Sequence, residues 1–281
     1  MTNNQLMHQY YAKCEALDIT LETVKLFYLE LCNEVDYNLY LHLDDEADSA
    51  IAEKFEAGMQ RIMKYEPMNY VLGYSWFYGY KLFVDKNVLI PRYETEELVL
   101  NVLKYVDEYY SDYSEIKAVD IGTGSGAIAI ALAKEEKRFK MMASDISQSA
   151  ITVAKKNAEF NGLEMDFFVG NMLDPIIATG KKVDIILCNP PYIPSDEQLE
   201  TSVVGYEPHV ALFGGKDGLK YYIEVFENAK KIINPQGMLA FEIGWNQKEI
   251  LLAQVKKYLP ETTATVLKDI NGKSRMLFIK F

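Results

Sequence analysis

The amino-acid sequence predicts an α/β protein, a mostly parallel sheet with helices on both faces, preceded by a small helical bundle. Three observations predict it. From about residue 115, short apolar runs alternate with amphipathic segments of helical length, the pattern of strands joined by crossover helices. The first of those runs ends in a glycine-rich turn, Asp120-Ile-Gly-Thr-Gly-Ser-Gly126, where a strand gives way to a helix. The leading segment, by contrast, has no glycine before Gly58 and no proline before Pro67, which suits helices.

Taken in order, residues 3–66 read as helical. Leu21, Val24, Leu26, Leu29, Leu31 and Val35 allow an amphipathic stripe with Thr20 as N-cap. Ile51, Phe55, Met59, Ile62 and Met63 fall at helical spacing between Asp48 and Lys64, and are expected in a core rather than in a ligand box. Residues 70–84 are rich in aromatic and β-branched side chains and punctuated by Gly73 and Gly79, which reads as a strand or hairpin connector. A helix with acids in its first turn starts at Glu94-Thr-Glu-Glu-Leu. Beyond it, strands are expected at 118–121, 140–144, 165–169, 184–188 and 237–243, with helices at 127–134, 149–160, 219–233 and 247–258. Residues 264–268 and 276–280 read as a terminal antiparallel pair. This divides the chain into a helical domain over 1–72, a hairpin connector over 73–95 and an α/β domain over 96–281.

Composition narrows the function classes. With 281 residues, 49% hydrophobic and 25% charged, the chain is neither a disordered segment nor a disulfide scaffold. Its net charge of −12 opposes a protein that lives on phosphate backbones. The acidity is concentrated: residues 1–79 carry 13 acids against 5 bases. Cys14, Cys32 and Cys188 show no CxxC spacing, and His8, His42 and His209 are scattered, so no metal site is expected and a reducing cytoplasm is the expected compartment. No signal peptide is evident, and the uncharged stretch at 121–133 is glycine-rich and too short to span a bilayer.

Chemistry begins at the glycine loop. Gly122, Gly124 and Gly126 let the backbone turn tightly and let a ligand touch the chain, while Asp145, about 20 residues on, can accept both ribose hydroxyls of an adenosine cofactor. The same residues satisfy a dinucleotide fingerprint, so NAD and S-adenosylmethionine both remain open on this loop alone. Asp120, two residues before the first glycine, favours S-adenosylmethionine, which has cationic groups and no pyrophosphate to repel. The second signature is Ile185-Ile-Leu-Cys-Asn-Pro-Pro-Tyr192, an apolar strand running into two prolines. Those prolines fix φ and remove two N–H donors, leaving the Asn189 and Pro190 carbonyls rigidly held. The Asn189 side-chain oxygen and the Pro190 carbonyl can each accept a hydrogen from a planar –NH2 group, with Tyr192 stacked on it. This fixes a poor nucleophile with its lone pair aimed at an incoming methyl group.

Together these motifs resemble the class I S-adenosylmethionine-dependent amino-methyltransferases. The match to Leu89-Ile-Pro-Arg-Tyr-Glu-Thr-Glu96, Tyr206-Glu-Pro-His-Val-Ala-Leu-Phe-Gly-Gly-Lys-Asp-Gly218, Glu242-Ile-Gly-Trp-Asn-Gln247 and Asp269-Ile-Asn-Gly-Lys-Ser-Arg275 is similar to the HemK/PrmC family. The resemblance implies a Rossmann-like fold with a C-terminal antiparallel strand, and methylation of the glutamine amide in the Gly-Gly-Gln motif of class 1 peptide-chain release factors. It implies that Asp120, Gly122, Thr123, Gly124, Ser125 and Gly126 line S-adenosylmethionine, and that Asp145, with Ile146 beside it, holds the ribose. Asn171 and Met172 would flank the adenine, although the family usually has an acid where Asn171 stands. Asn189, Pro190, Pro191 and Tyr192 would bind the acceptor amide, with Asn189 also touching the cofactor. Arg92 and Glu94 to Glu96 would help close the site, while Glu207 and Asp217 read equally as site acids or as loop braces. The acidic helical domain would recognise the basic protein substrate. The rival reading is methylation of an exocyclic amino group of adenine or guanine in nucleic acid, which calls for a cationic track that this sequence lacks.

Overall fold

The computed structural model describes residues 1–197 and 205–281. They fall into two compact units, Met1–Tyr74 with residues 205–206, and residues 75–197 with 207–281. No helix among the described residues is long and apolar enough to cross a membrane.

The first unit is built from helices α1 (Asn3–Glu15), α2 (Leu21–Asn33), α3 (Ser49–Ile62) and α4 (Met68–Leu72). Each long helix opens on a side-chain cap. Thr2 and Gln5 form a reciprocal capping box, Thr20 accepts from Thr23 N–H, and Asp48 accepts from the N–H groups of Ala50 and Ile51. The buried stripe of α2 is Val24, Phe27, Tyr28, Leu31 and Cys32. Leu21, Leu26 and Val35, expected in that stripe, are exposed: Leu26 lies off the face that 3.6-residue periodicity turns inward, Leu21 is the first residue of the helix, and Val35 lies beyond its end. Ile51, Phe55, Met59 and Ile62 are buried as expected. The Phe27 ring lies where any side chain at Gly58 would sit, so that glycine permits α2 and α3 to pack closely.

Residues 70–72, expected within a strand or connector, instead close α4. Pro67 starts the turn and Gly73, at φ +80°, stops it. Strands β1 (Tyr74–Phe77) and β2 (Tyr80–Phe83) then form a hairpin through Tyr78 and Gly79, both at positive φ, as a tight two-residue turn requires.

The second unit continues with α5 (Tyr93–Tyr109), β3 (Ile116–Ile121), α6 (Ala127–Glu135), β4 (Phe139–Asp145), α7 (Gln148–Phe160), β5 (Asp166–Val169) and α8 (Asp174–Thr179). It ends with β6 (Val183–Cys188), α9 (Lys220–Asn228), β7 (Ile233–Glu242), α10 (Lys248–Tyr258), β8 (Thr263–Lys268) and β9 (Ser274–Lys280). The sheet order is β5-β4-β3-β6-β7-β9-β8, parallel except for β9, which runs antiparallel to both neighbours. This is the class I methyltransferase fold. The helix expected over 219–233 is cut short, because β7 reaches back to Ile233 and a 3₁₀ turn at Ala229–Lys231 joins the two. Helix α8, six residues long, is too short to leave a periodic trace in the sequence.

Alternation along the strands separates two cores. Ala118, Ile185, Leu187 and Ala240 face α5, α6 and α7, whereas Val119, Ile186, Leu239 and Phe241 face α8, α9 and α10. Every residue of β6 is buried, as a strand covered on both faces demands. The chain reverses its direction of travel across the sheet between β3 and β6, and ligands of open α/β sheets settle at the carboxyl ends of strands flanking such a point.

Candidate active site

A pocket opens at that reversal. It is lined by Gly122 and Gly124 after β3, Asp145 and Ile146 at the end of β4, Asn171 and Met172 after β5, and Asn189 and Pro191 after β6. Residues 87–89, Ser147, Ala150, Gly170, Pro208, Val210, Ala211 and Tyr221 of α9 complete its walls. Of the remaining residues singled out from the sequence, Thr123, Ser125 and Gly126 complete the loop behind the lining, and Asp120 is buried beneath it. Pro190 and Tyr192 flank the lining residues within their own motif.

The glycine loop owes its composition to backbone conformation. Gly122 and Gly124 lie at φ +67° and +55°, and a side chain at either would meet only open space. Gly126 opens α6 and lets it approach Ala154 of α7. Asp145 organises the loop: its Oδ2 accepts the Gly124 N–H at 2.9 Å and its Oδ1 accepts the Ser147 N–H at 2.9 Å. An ionised carboxylate offers about four lone-pair sites, so acceptor capacity remains beyond these bonds. Burial pushes the Asp145 carboxyl upward, and backbone hydrogen bonds from Ser147, Gly124 and Ile146 oppose it. Asp120 is more extreme. Its Oδ2 accepts the Thr123 hydroxyl at 2.6 Å, its Oδ1 has no partner among the described residues, and burial pushes its pKa up to about 7. On the far side, Met172 sits at φ +42° with its carbonyl accepting from Ser144 Oγ, and Asn171 Nδ2 donates to Glu224 Oε1 of α9.

Asn189-Pro-Pro-Tyr192 is braced from three elements. Asn189 Nδ2 donates to Glu242 Oε2 at 3.0 Å and to Thr95 Oγ1 at 3.2 Å. Thr95 itself donates to Glu242 Oε2 at 2.5 Å, and the Tyr192 hydroxyl approaches Glu242 Oε1 at 3.4 Å. Burial and the Glu242 charge push the Tyr192 phenol up to about 12. Among the described residues no hydrogen bond reaches Asn189 Oδ1 or the Pro190 carbonyl. Behind the motif, the Gly214 N–H donates to the Ile193 carbonyl, and Gln247 Nε2 donates to the carbonyls of Tyr192 and Gly218. A side chain at Gly214 or Gly218 would strike the carbonyls of Pro191 and Tyr192, which is why Gly214-Gly-Lys-Asp-Gly218 needs its glycines.

The flanking acids resolve into braces. Both Glu207 oxygens accept from Arg92 Nη2 at 2.7 Å, and Asp217 Oδ1 accepts the Leu219 N–H at 3.0 Å. Within 92–96, Glu96 accepts the Tyr78 N–H of the hairpin turn, Glu94 is exposed, and buried Thr95 reaches Asn189. Cys188 is a buried strand end whose thiol burial pushes well up. Sequence reasoning left Glu242, Gln247 and Asn157 without roles, and placed Thr95 only within a segment that closes the site. Asn157 of α7 donates to the carbonyls of Phe83 and Ser125 and accepts the Phe83 N–H, joining the hairpin to the glycine loop. The signal for Glu242 was present, because it is a carboxylate closing the apolar run 238–241 at the ligand end of the sheet.

Comparison with known proteins agrees with this geometry. Residues 98–205 match the methyltransferase small domain. The chain is 38% identical over 253 residues to the release factor glutamine methyltransferase of Bacillus cereus, covering 88% of this chain and 89% of that one. It is 42% identical over 213 residues to the release factor glutamine methyltransferase of Bacillus subtilis, covering 75% and 74%. Among solved structures, a methyltransferase from Pyrococcus furiosus shares the fold with a TM-score of 0.53 at 17% identity, over 80% of this chain and 96% of that one.

Proposed function

The chain belongs to the release factor glutamine methyltransferase family, and on that premise we propose that it transfers one methyl group from S-adenosylmethionine to the glutamine side-chain amide nitrogen of the Gly-Gly-Gln motif in class 1 peptide-chain release factors. The observation that carries the reading is the meeting of Asn189 and Pro191 with Gly122, Gly124 and Asp145 around one pocket.

The residues present fit the cofactor. Gly122 and Gly124 open onto free space, Asp145 keeps acceptor capacity for the ribose, and one buried Asp120 oxygen is unpartnered among the described residues. When bound, S-adenosylmethionine supplies a methyl group on a cationic sulfur that becomes a neutral thioether. The chain's own part is to place and polarise the acceptor. Asn189 Oδ1 and the Pro190 carbonyl accept the two N–H hydrogens of the substrate amide, which fixes the nitrogen and draws electron density onto it. Tyr192, largely buried, backs the flat group. Positioning of this kind supplies about 7–11 kcal/mol in well-oriented reactions, and polar groups aimed at developing charge add about 2.7–4 kcal/mol each.

In the same reading residues 1–72 form the recognition domain for the protein substrate, 73–95 a connector and 96–281 the catalytic domain. The acidity of residues 1–79 suits a basic partner. Incubation with methyl-labelled cofactor, purified release factor and bulk RNA tests the reaction. Label in the Gly-Gly-Gln peptide is expected; label in RNA and none in that peptide would overturn the assignment in favour of a nucleobase substrate.

A further inference from the structure

We infer that Glu242 is a positioning residue for methyl transfer, its buried carboxylate deciding which end of the Asn189 amide faces the substrate nitrogen. The inference rests on the function proposed above and adds a residue which that function does not by itself require.

A side-chain amide is nearly symmetric in shape, so packing holds Asn189 about equally well in either of two orientations. One presents an acceptor to the pocket and the other a donor. Only the first can take an N–H from a substrate amide; the second sets donor against donor. What distinguishes them is the chemistry on the side away from the substrate. There Asn189 Nδ2 meets two groups, Glu242 Oε2 at 3.0 Å and Thr95 Oγ1 at 3.2 Å. An ionised carboxylate only accepts, and the Thr95 hydroxyl hydrogen is already committed to Glu242 Oε2 at 2.5 Å, so Thr95 too faces Asn189 as an acceptor. The two acceptors lie 2.5 Å apart, so one Asn189 N–H is shared between them on that side. Turning the amide over would set its oxygen against two acceptors and leave both unsatisfied in a buried setting.

The placement of Glu242 suits this role. It is 3% exposed, closes β7 at the ligand end of the sheet, and has its backbone carbonyl fixed by the Tyr222 hydroxyl at 2.8 Å. Its second oxygen faces the Tyr192 hydroxyl, so one carboxylate holds both ends of Asn-Pro-Pro-Tyr. Burial raises the Glu242 pKa, and the Thr95 hydrogen bond and the charge of Arg275 oppose the rise. Arg275 is in turn fixed by Asp269, whose Oδ2 accepts from its Nε at 3.2 Å.

The test exchanges the polarity of the pair. Glu242→Gln and Asn189→Asp should each lower kcat at least about tenfold, with KM for the cofactor within about threefold, because the acceptor is misplaced or repelled while the pocket remains. The double variant puts a donor at 242 and an acceptor-only group at 189, and should recover at least about tenfold over Asn189→Asp alone. Turnover of the double variant at or below the poorer single variant would overturn the inference, since a merely structural carboxylate gives no such rescue. A second readout does not need turnover. In protein labelled with ¹⁵N-asparagine, the Asn189 side-chain amide signal, assigned by its loss in Asn189→Ala, should move upfield in Glu242→Gln; an unmoved signal overturns the inference. Should the wild-type enzyme leave the release-factor glutamine unmethylated, the proposed function fails, and the amide signal alone decides the role of Glu242.

Discussion

Arg92 and Glu207, 115 residues apart in sequence, meet through one guanidinium nitrogen, with Arg92 Nη2 lying 2.7 Å from both carboxylate oxygens of Glu207. The Glu207 side chain is 2% exposed while that of Arg92 is 38% exposed, so the pair anchors a buried acid to a cation at the surface. Pro208, Val210 and Ala211, which follow directly, wall the pocket. Arg92→Ala removes the cation from that buried acid, at a cost of about 3–5 kcal/mol. Cofactor KM should rise about tenfold while kcat changes less than threefold, because the wall loosens and the acceptor motif stays in place. Steady-state kinetics at saturating release factor checks this; an unchanged cofactor KM would return the pair to plain surface bracing.

Asn189→Ala should keep cofactor affinity within about threefold and lower kcat about 10²- to 10³-fold, the loss typical of one polar group aimed at a transition state. Calorimetric titration of S-adenosylhomocysteine alongside turnover separates the two effects. A fall in affinity as large as the fall in turnover would mean that Asn189 serves the cofactor rather than the acceptor.

Asp120 predicts a stability profile in pH. Its folded pKa of about 7 lies above the ordinary carboxyl value, so the folded chain holds the proton longer than the unfolded one. Its contribution to stability is therefore full below the unfolded pKa and is lost as pH rises through about 7. Urea denaturation of wild type and Asp120→Asn at pH 5, 6, 7 and 8 should show wild type losing stability relative to the variant across that range. A constant difference would contradict a carboxyl that titrates near neutrality.

Gly218→Ala should destabilise the protein by about 1–3 kcal/mol, through strain at its positive φ and collision with the Tyr192 carbonyl, and should also lower kcat. Gly272 gives the contrast, since it shares a positive φ but has nothing near its missing side chain. Gly272→Ala should cost about 1–2 kcal/mol and leave turnover intact. Paired thermal melts and kinetics check both; equal effects would show that the Gly218 contact has no part in setting Tyr192.

Much of this was legible in the sequence because its signals are local. The turn after β3 needs positive φ at Gly122 and Gly124, so it is written in glycine. The strand that ends in Asn189 announces itself by an apolar run broken by two prolines. The α2 stripe was misplaced because Leu26 and Val35 are apolar without being inward, and hydrophobicity alone does not tell one helical face from its neighbour. The pairing of Thr95 with Glu242 escaped for another reason. Their partnership spans 147 residues and exists only once α5 and β7 are side by side, so no spacing rule reaches it. The Glu207 and Arg92 pair was likewise ambiguous until the fold brought the two together.

Asn157 has a consequence for the order in which the molecule assembles. Its contacts with Phe83 and Ser125 lie 74 and 32 residues away along the chain, so the glycine loop acquires its final support only after the hairpin has docked on α7. Loop and hairpin share this one side chain, and opening of either is expected to loosen the other. Anything that clamps the loop from the pocket side also slows release of the Phe83 amide to solvent. Hydrogen exchange at that amide, on an element that does not line the pocket, thus becomes a remote reporter of whether the pocket is filled.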